Sequence, residues 1–265
     1  MVDNAMLNPE FMDMQPQEKK RKSPEGISSS QLVLSAHVGI NEDIFPIVMS
    51  LHVPAGSTVA DVTYGTGIFW KKVPPGKYIL FPSDLKTDVD CRELPYADGA
   101  MDCVVLDPPY MEGLFRRSKG HLAGAGTYGA FRTTYSNSTK TTEGPKYHEA
   151  VLDLYAKAGV EAYRVLRTHG VMIVKCQDEV SANLQRFTHV EIMDAYRALG
   201  FHCKDLFVVV RNNRPAVSRV VRQEHARKNH SYFLVFIKTN GKNPKGKGLM
   251  NGDTRRLETD KGRAK

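Results

Sequence analysis

Cys103-Val104-Val105-Leu106-Asp107-Pro108-Pro109-Tyr110 is an unbroken apolar run that ends in an acidic residue, two prolines and an aromatic ring. A short apolar run with no polar alternation suits a strand covered on both faces, as in a parallel sheet flanked by helices. Similar runs stand at Thr58 to Thr63, Tyr78 to Phe81, Val171 to Cys176, Leu206 to Val210 and Tyr232 to Ile237. Helical period appears between them: residues 148 to 167 place Val151, Tyr155, Ala158, Ala162 and Val165 at steps of three and four. A second helix is expected from the capping box Thr188-His189-Val190-Glu191 to Gly200. A short helix is expected from Asp43, with that side chain as its cap, Pro46 in its first turn and Pro54 as its stop. Strands alternating with helices in this way predict one α/β domain with a parallel sheet.

The chain has 265 residues, 41% hydrophobic and 25% charged, which is the composition of a globular domain with a core and excludes a wholly disordered chain or a stapled mini-protein. No apolar run approaches the roughly 18 residues that span a bilayer, and Met1 to Met14 is acidic without an apolar stretch, so a cytoplasmic protein with no membrane partner is expected. Cys91, Cys103, Cys176 and Cys203 are widely spaced, which points to reduced core thiols and to neither a disulfide framework nor a metal site. His225 and His230, five residues apart, are expected to flank the last strand or touch phosphate.

Residues 1–26, which include Glu18-Lys19-Lys20-Arg21-Lys22, have no apolar periodicity and read as a flexible arm; residues 239–265, rich in Lys, Gly and Asn, read as a basic flexible tail. The folded domain is therefore placed at 27–238. Within it, residues 111–147 carry six Lys or Arg against two Glu, and residues 211–230 carry six against one. Positive charge gathered into two internal segments suits a surface for a polyanion. The first of them is too long for an ordinary connection and reads as a functional insert.

Asp61-Val62-Thr63-Tyr64-Gly65-Thr66-Gly67 follows a strand and precedes an expected helix, so its glycines let the backbone approach a nucleotide-like ligand. A dinucleotide fingerprint needs Gly or Ala where this chain has Trp70, which argues against a nicotinamide or flavin enzyme. Asp84, at the end of the second strand, is placed to accept hydrogen bonds from ribose hydroxyls. Asp90 opens a turn, through Leu94-Pro95-Tyr96, of the form that binds adenine. Asp107-Pro108-Pro109-Tyr110 then lies at the carboxyl end of the sheet, where ligands of such folds bind.

The chemistry of an exocyclic amine explains this tetrapeptide. Its lone pair is delocalised into the ring, so an enzyme must hold the amine hydrogens away from the ring plane. The Asp107 carboxylate and the Pro108 carbonyl can each accept one hydrogen, and the two prolines stiffen the backbone that aims them. Tyr110 can stack on the base. With the amine held in line with a methyl sulfonium, orientation and electrostatics supply the acceleration without a covalent intermediate.

In this order, Asp61 to Gly67, Asp84, Asp90 and then Asp107 to Tyr110, residues 30 to 238 resemble the class I S-adenosylmethionine-dependent amino-methyltransferases of DNA that carry a DPPY motif. Glu161 to Val174 and His225 to Phe236 extend the likeness, the latter to bacterial or phage enzymes. The resemblance implies a Rossmann-like, mostly parallel seven-stranded sheet with helices on both faces, S-adenosyl-L-methionine as cofactor and DNA as partner. It implies that Gly65 and Gly67 line the methionine half of the cofactor, Asp61 supports it, Asp84 holds the ribose and Asp90 lies near the adenine. Asp107, Pro108, Pro109 and Tyr110 would grip the target base, and Asp at the first position leans toward adenine N6 over cytosine N4. Many DNA members have Pro and Phe where this chain has Val62 and Thr63, so the aromatic contact to the cofactor would fall to Phe69 or Trp70. A separate target-recognition domain is not visible, and Arg116, Arg117, Lys119 and Arg132 of the insert are the expected phosphate contacts. Whether a restriction endonuclease accompanies the enzyme is not legible.

Four other readings compete with this one. Cys176-Gln177 invites cytosine-C5 chemistry, but Lys175 stands where that loop wants proline. An RNA methyltransferase acting on adenine N6 or guanine N2 uses the same clamp. A protein-glutamine methyltransferase has Asn leading its tetrapeptide. A silent nucleic-acid-binding module would have no use for an intact Asp107 to Tyr110 with Gly65 and Gly67.

Overall fold

The computed structural model describes residues 30–112, 145–212 and 222–240; the two arms and most of the basic insert lie outside them. In chain order the elements are β1 (Ala36–Val38), α1 (Asn41–His52), β2 (Thr58–Asp61), β3 (Ile79–Pro82), β4 (Met101–Leu106), α2 (His148–Val165), β5 (Leu166–Cys176), β6 (Glu179–Ser181), β7 (Leu184–Arg186), α3 (Thr188–Leu199), β8 (Phe201–Val210) and β9 (His230–Lys238). Seven strands form one sheet in the order β1-β8-β9-β5-β4-β2-β3, and β6 pairs with β7 as a separate hairpin. Within the sheet only the pairings of β9 are antiparallel.

Successive residues of a strand face opposite sides, and this sheet buries both. Val104, Leu106, Met172, Val174, Leu234 and Phe236 pack with Leu154, Tyr155 and Ala158 of α2 and Ile192 and Tyr196 of α3. Cys103, Val105, Ile173, Phe233 and Val235 pack with Phe45, Val48 and Met49 of α1. This is the doubly wound, Rossmann-like arrangement expected. The helices on the first face approach closely: a Cβ on Gly159 would stand 2.4 Å from a ring carbon of Tyr196, so α2 has no room for a side chain there.

Connectivity creates the crevice. The chain runs outward from β2 to β3, then returns across β2 to β4, so the connections part between the carboxyl ends of β2 and β4. Ligands of open α/β sheets bind at such a switch point. Asp61 is the last residue of β2, and Asp107 follows β4 directly.

Several expectations are corrected. Asp43 does not cap α1, whose N-cap is Ile40 with no side-chain bond; Asp43 sits within the first turn and pairs with Lys72. Because α1 starts at Asn41, Pro46 falls beyond the first turn, where the buried Phe45, Val48 and Met49 outweigh its missing hydrogen bond. The helix ends at His52, just ahead of Pro54, as the stop signal predicts. Thr188 and Glu191 form no capping box: Phe187 is the N-cap, and Glu191 reaches back instead to His148 Nε2. The reciprocal pair occurs at Asp84 and Thr87, around a single 3-10 turn. The helix expected after Gly67 is likewise one 3-10 turn, Ile68–Trp70, because Pro74 and Pro75 follow too soon to allow more. Neither β1 nor the β6–β7 hairpin was expected. The two-residue turn of that hairpin, Ala182-Asn183, has positive φ at both positions without a glycine to signal it. Among the described residues no helix is long and apolar enough to cross a membrane.

Candidate active site

Three carboxylates stand at the carboxyl ends of neighbouring strands: Asp61 on β2, Asp84 after β3 and Asp107 after β4. Asp61 is 3% exposed and accepts two hydrogen bonds, from the Thr63 amide at 3.1 Å and from Trp70 Nε1 at 2.7 Å. Asp84 Oδ2 accepts from the Gly65 amide at 2.9 Å and Oδ1 from the Lys86 amide at 2.7 Å. Asp84 thus pins the glycine turn from the neighbouring strand. Gly65 and Gly67 have φ of 58° and 70°, and a Cβ on Gly67 would lie 2.5 Å from Tyr64 Oη. Gly67 is glycine both for its left-handed backbone and because the Tyr64 ring covers it.

Asp90 forms an ion pair with Arg92, whose Nη2 is 2.6 Å from Oδ2, and its Oδ1 also accepts the Arg92 amide at 2.9 Å. Burial pushes its carboxyl up, and the Arg92 hydrogen bonds outweigh that and hold it below the usual range. Asp90 therefore shapes its turn through Arg92, over a floor of buried Leu94 and Tyr96.

In the tetrapeptide, Tyr110 Oη donates to Asp107 Oδ1 at 2.6 Å, and the Asp107 amide donates to Thr63 Oγ1 at 2.6 Å. Pro108 and Pro109 are buried. Burial, followed by the Asp107 charge, holds the Tyr110 phenol well above its ordinary value, so it remains a donor. Past Tyr110, a cleft of about 390 Å³ opens between Met111, Glu112, Tyr147 and the β6–β7 hairpin.

Burial, with the charges of Asp107 and Asp84 adding to it, pushes the Asp61 carboxyl up to about 7 against the bonds from Trp70 and Thr63. Its folded-state value thus lies above that of the unfolded chain, about 4. Between these values the folded protein holds a proton that the unfolded chain has lost, so stability falls as pH rises from about 4 to about 7. The full loss is on the order of 4 kcal/mol. Denaturant unfolding at pH 4 and pH 8 reads most of it: the drop across the window is expected to shrink in Asp61→Asn, and an equal drop in both proteins would remove Asp61 as its source.

Sequence reasoning missed several participants. Trp70, weighed as an aromatic cofactor contact, spends its indole N–H on Asp61 and packs on Phe45 with ring centroids 5.1 Å apart; Phe69 packs inward on Phe45 and Phe233. Tyr64, over Gly67, is the aromatic residue of the turn itself. Lys175 is fully buried, with Nζ 2.5 Å from Ser231 Oγ and over the Phe233 ring, and burial lowers it to about 8. Nothing in its apolar neighbourhood along the chain signals this pairing, which arises across strands. Cys176 is buried in the core, and burial pushes its thiol up, which suits no nucleophile. Arg116, Arg117, Lys119 and Arg132 lie outside the described residues. Among the described residues, no group of three or more His, Cys, Asp or Glu is placed to hold a metal ion.

The N6/N4 family model described as DNA methylase matches residues 101–263, more than half of the chain. The match begins with β4 and contains Asp107 to Tyr110, while Asp61 to Asp90 precede it. No curated protein matches. Among solved structures, TrmN from Thermus thermophilus is 13% identical over 74% of this chain and 48% of its own, with a TM-score of 0.43. A second Thermus thermophilus protein, provisionally assigned as a DNA modification methylase and complexed with S-adenosyl-L-methionine, is 16% identical over 72% and 59%, with a TM-score of 0.35. A Bacillus halodurans protein, provisionally assigned as a methyltransferase, is 12% identical over 74% and 98%, with a TM-score of 0.44. The chain spans about half the length of the two Thermus proteins.

Proposed function

The chain belongs to the N6/N4 DNA methylase family, and from that premise we propose that it transfers a methyl group from S-adenosyl-L-methionine to an exocyclic amine of a DNA base, adenine N6 in preference to cytosine N4. The observation that carries this reading is the meeting of Asp107 to Tyr110 with the Asp61 to Gly67 turn at one switch point of the sheet. Residues 27–238 are the catalytic unit in this reading, and the basic segments 111–147 and 211–230 supply the DNA contacts.

The crevice suits the cofactor. Burial raises Asp61, the Asp107 and Asp84 charges add to it, and a crevice lined by these carboxylates favours a ligand with net positive charge. When bound, S-adenosyl-L-methionine supplies an electrophilic methyl group on a sulfonium. Asp84 and the Gly65–Gly67 backbone would hold its nucleoside and methionine portions, with Asp61 supporting that turn and the Asp90 turn serving the adenine. Asp107, oriented by the Tyr110 hydroxyl, accepts one amine hydrogen and is the nearest acceptor for the proton the amine releases. Pro108 offers its carbonyl to the second hydrogen, and Pro109 stiffens the turn. The target base, turned out of the duplex, presents its amine to Asp107 and Pro108. Arg116, Arg117, Lys119 and Arg132 contact phosphates.

The test is to incubate the protein with methyl-labelled cofactor and unmethylated duplex DNA, or with RNA, and to digest each to nucleosides. Label on N6-methyl-deoxyadenosine is the expected result. Label on N4-methyl-deoxycytidine would overturn the choice of base, and label from RNA alone the choice of polymer. No label from either would leave a binding module.

A further inference from the structure

The backbone ladder between β2 and β4 continues one residue past the strand, to the bond from the Val62 amide to the Val105 carbonyl at 3.1 Å. The next rung is different in kind: the Asp107 amide donates to the side chain of Thr63, at 2.6 Å, rather than to a carbonyl. A carbonyl rung would keep the two chains at strand spacing, about 4.8 Å, and close the crevice. A hydroxyl on a side chain spans a wider gap, so the two loops diverge while remaining tied.

That tie anchors the backbone of the tetrapeptide. Pro108 and Pro109 have no N–H, so the Asp107 amide is the one backbone donor in the first three residues of the clamp. At its other end Thr63 is itself fixed, because its amide donates to Asp61, which also holds Trp70. An unbroken series of hydrogen bonds therefore runs from Trp70 through Asp61, Thr63 and Asp107 to Tyr110. It joins the cofactor turn to the amine clamp across 44 residues of sequence.

We propose that Thr63 is a positioning residue for methyl transfer: its hydroxyl oxygen sets the distance and angle between the Asp107 carboxylate and the cofactor turn. The inference rests on the methyltransferase reading above. The side chain touches neither reacting atom in this role. It acts through the Asp107 amide, so its removal is expected to slow transfer while leaving cofactor affinity nearly intact.

Thr63→Val keeps the shape and removes the acceptor; Thr63→Ser keeps the acceptor. On whichever polymer the wild type labels, the valine variant is expected to lower the single-turnover rate about 10- to 100-fold at saturating cofactor. Its cofactor dissociation constant by calorimetry is expected to stay within about threefold, and the serine variant to recover the rate within about threefold. Thr63→Ala carries the same expectation as Thr63→Val should the latter not fold. An active wild type with an unaffected valine variant overturns this inference alone. So does a serine variant as slow as the valine one, or a loss confined to cofactor affinity. A wild type that labels neither DNA nor RNA overturns the methyltransferase reading and this inference with it.

Discussion

Asp107→Ala is expected to reduce methyl transfer about a thousandfold while leaving cofactor affinity within about threefold. In the proposed reaction the exocyclic amine becomes nucleophilic only when its hydrogens are drawn out of the ring plane, and the Asp107 carboxylate is the charged acceptor proposed for that. Its orientation is set from two sides, by the Tyr110 hydroxyl on Oδ1 and by the Thr63 hydroxyl on its amide. Alanine keeps the amide tie and removes only the carboxylate, so the turn is retained while the amine loses its acceptor and the proton its nearest base. An interaction realised chiefly in the transition state appears in kcat. The measurement is single-turnover transfer of labelled methyl with cofactor affinity determined in parallel. A variant that retains transfer within threefold would remove Asp107 from the chemistry, and one that loses cofactor binding in proportion would place it in the cofactor site.

Asp84→Ala is expected to weaken cofactor binding by about a hundredfold. This carboxylate is 7% exposed and accepts both the Gly65 and the Lys86 amides, so it holds the glycine turn from the adjacent strand and caps its own 3-10 turn. A hydrogen bond to a charged group contributes about 1.5–3 kcal/mol, and truncation leaves two amides without their acceptor. The crevice also loses one of the charges that favour a cationic ligand. Calorimetric titration with the cofactor reads the effect, and circular dichroism separates it from unfolding. Asp84→Asn, which keeps the shape and one acceptor oxygen, is expected to fall between the two. Equal affinity in the wild type and the alanine variant would mean that Asp84 only shapes the empty turn.

The apolar runs located each of the six anticipated strands. In β2, β4, β5 and β9 the run reflects burial on both faces, whereas the edge strand β3 carries an apolar run although it is partly exposed. Helices with a wide apolar stripe were equally legible, as α2 and the Gly200 end of α3 illustrate. Caps were not. Thr188 and Glu191 have the right residues at the right spacing, yet Glu191 is drawn to His148, which lies on another helix and is visible only in space. Elements whose pairing is decided by what lies beside them, β1 at the sheet edge and the β6–β7 hairpin, left no local trace.

The same division holds within the candidate site. Asp107 to Tyr110 is contiguous, and a turn after a buried strand is determined by the residues themselves, since two prolines fix the backbone whatever surrounds them. The sequence alone therefore determined the α/β class, the strand that carries the clamp and the residue types that can hold an amine. Tertiary structure alone decided that Thr63 meets Asp107, that Asp84 holds Gly65 and that Trp70 turns inward to Asp61. The first two bonds join residues brought together by strand order and register, and register depends on how whole strands align in the sheet, which local periodicity does not encode. The third joins residues nine apart, and the packing of Trp70 on Phe45 of another element turns its indole inward.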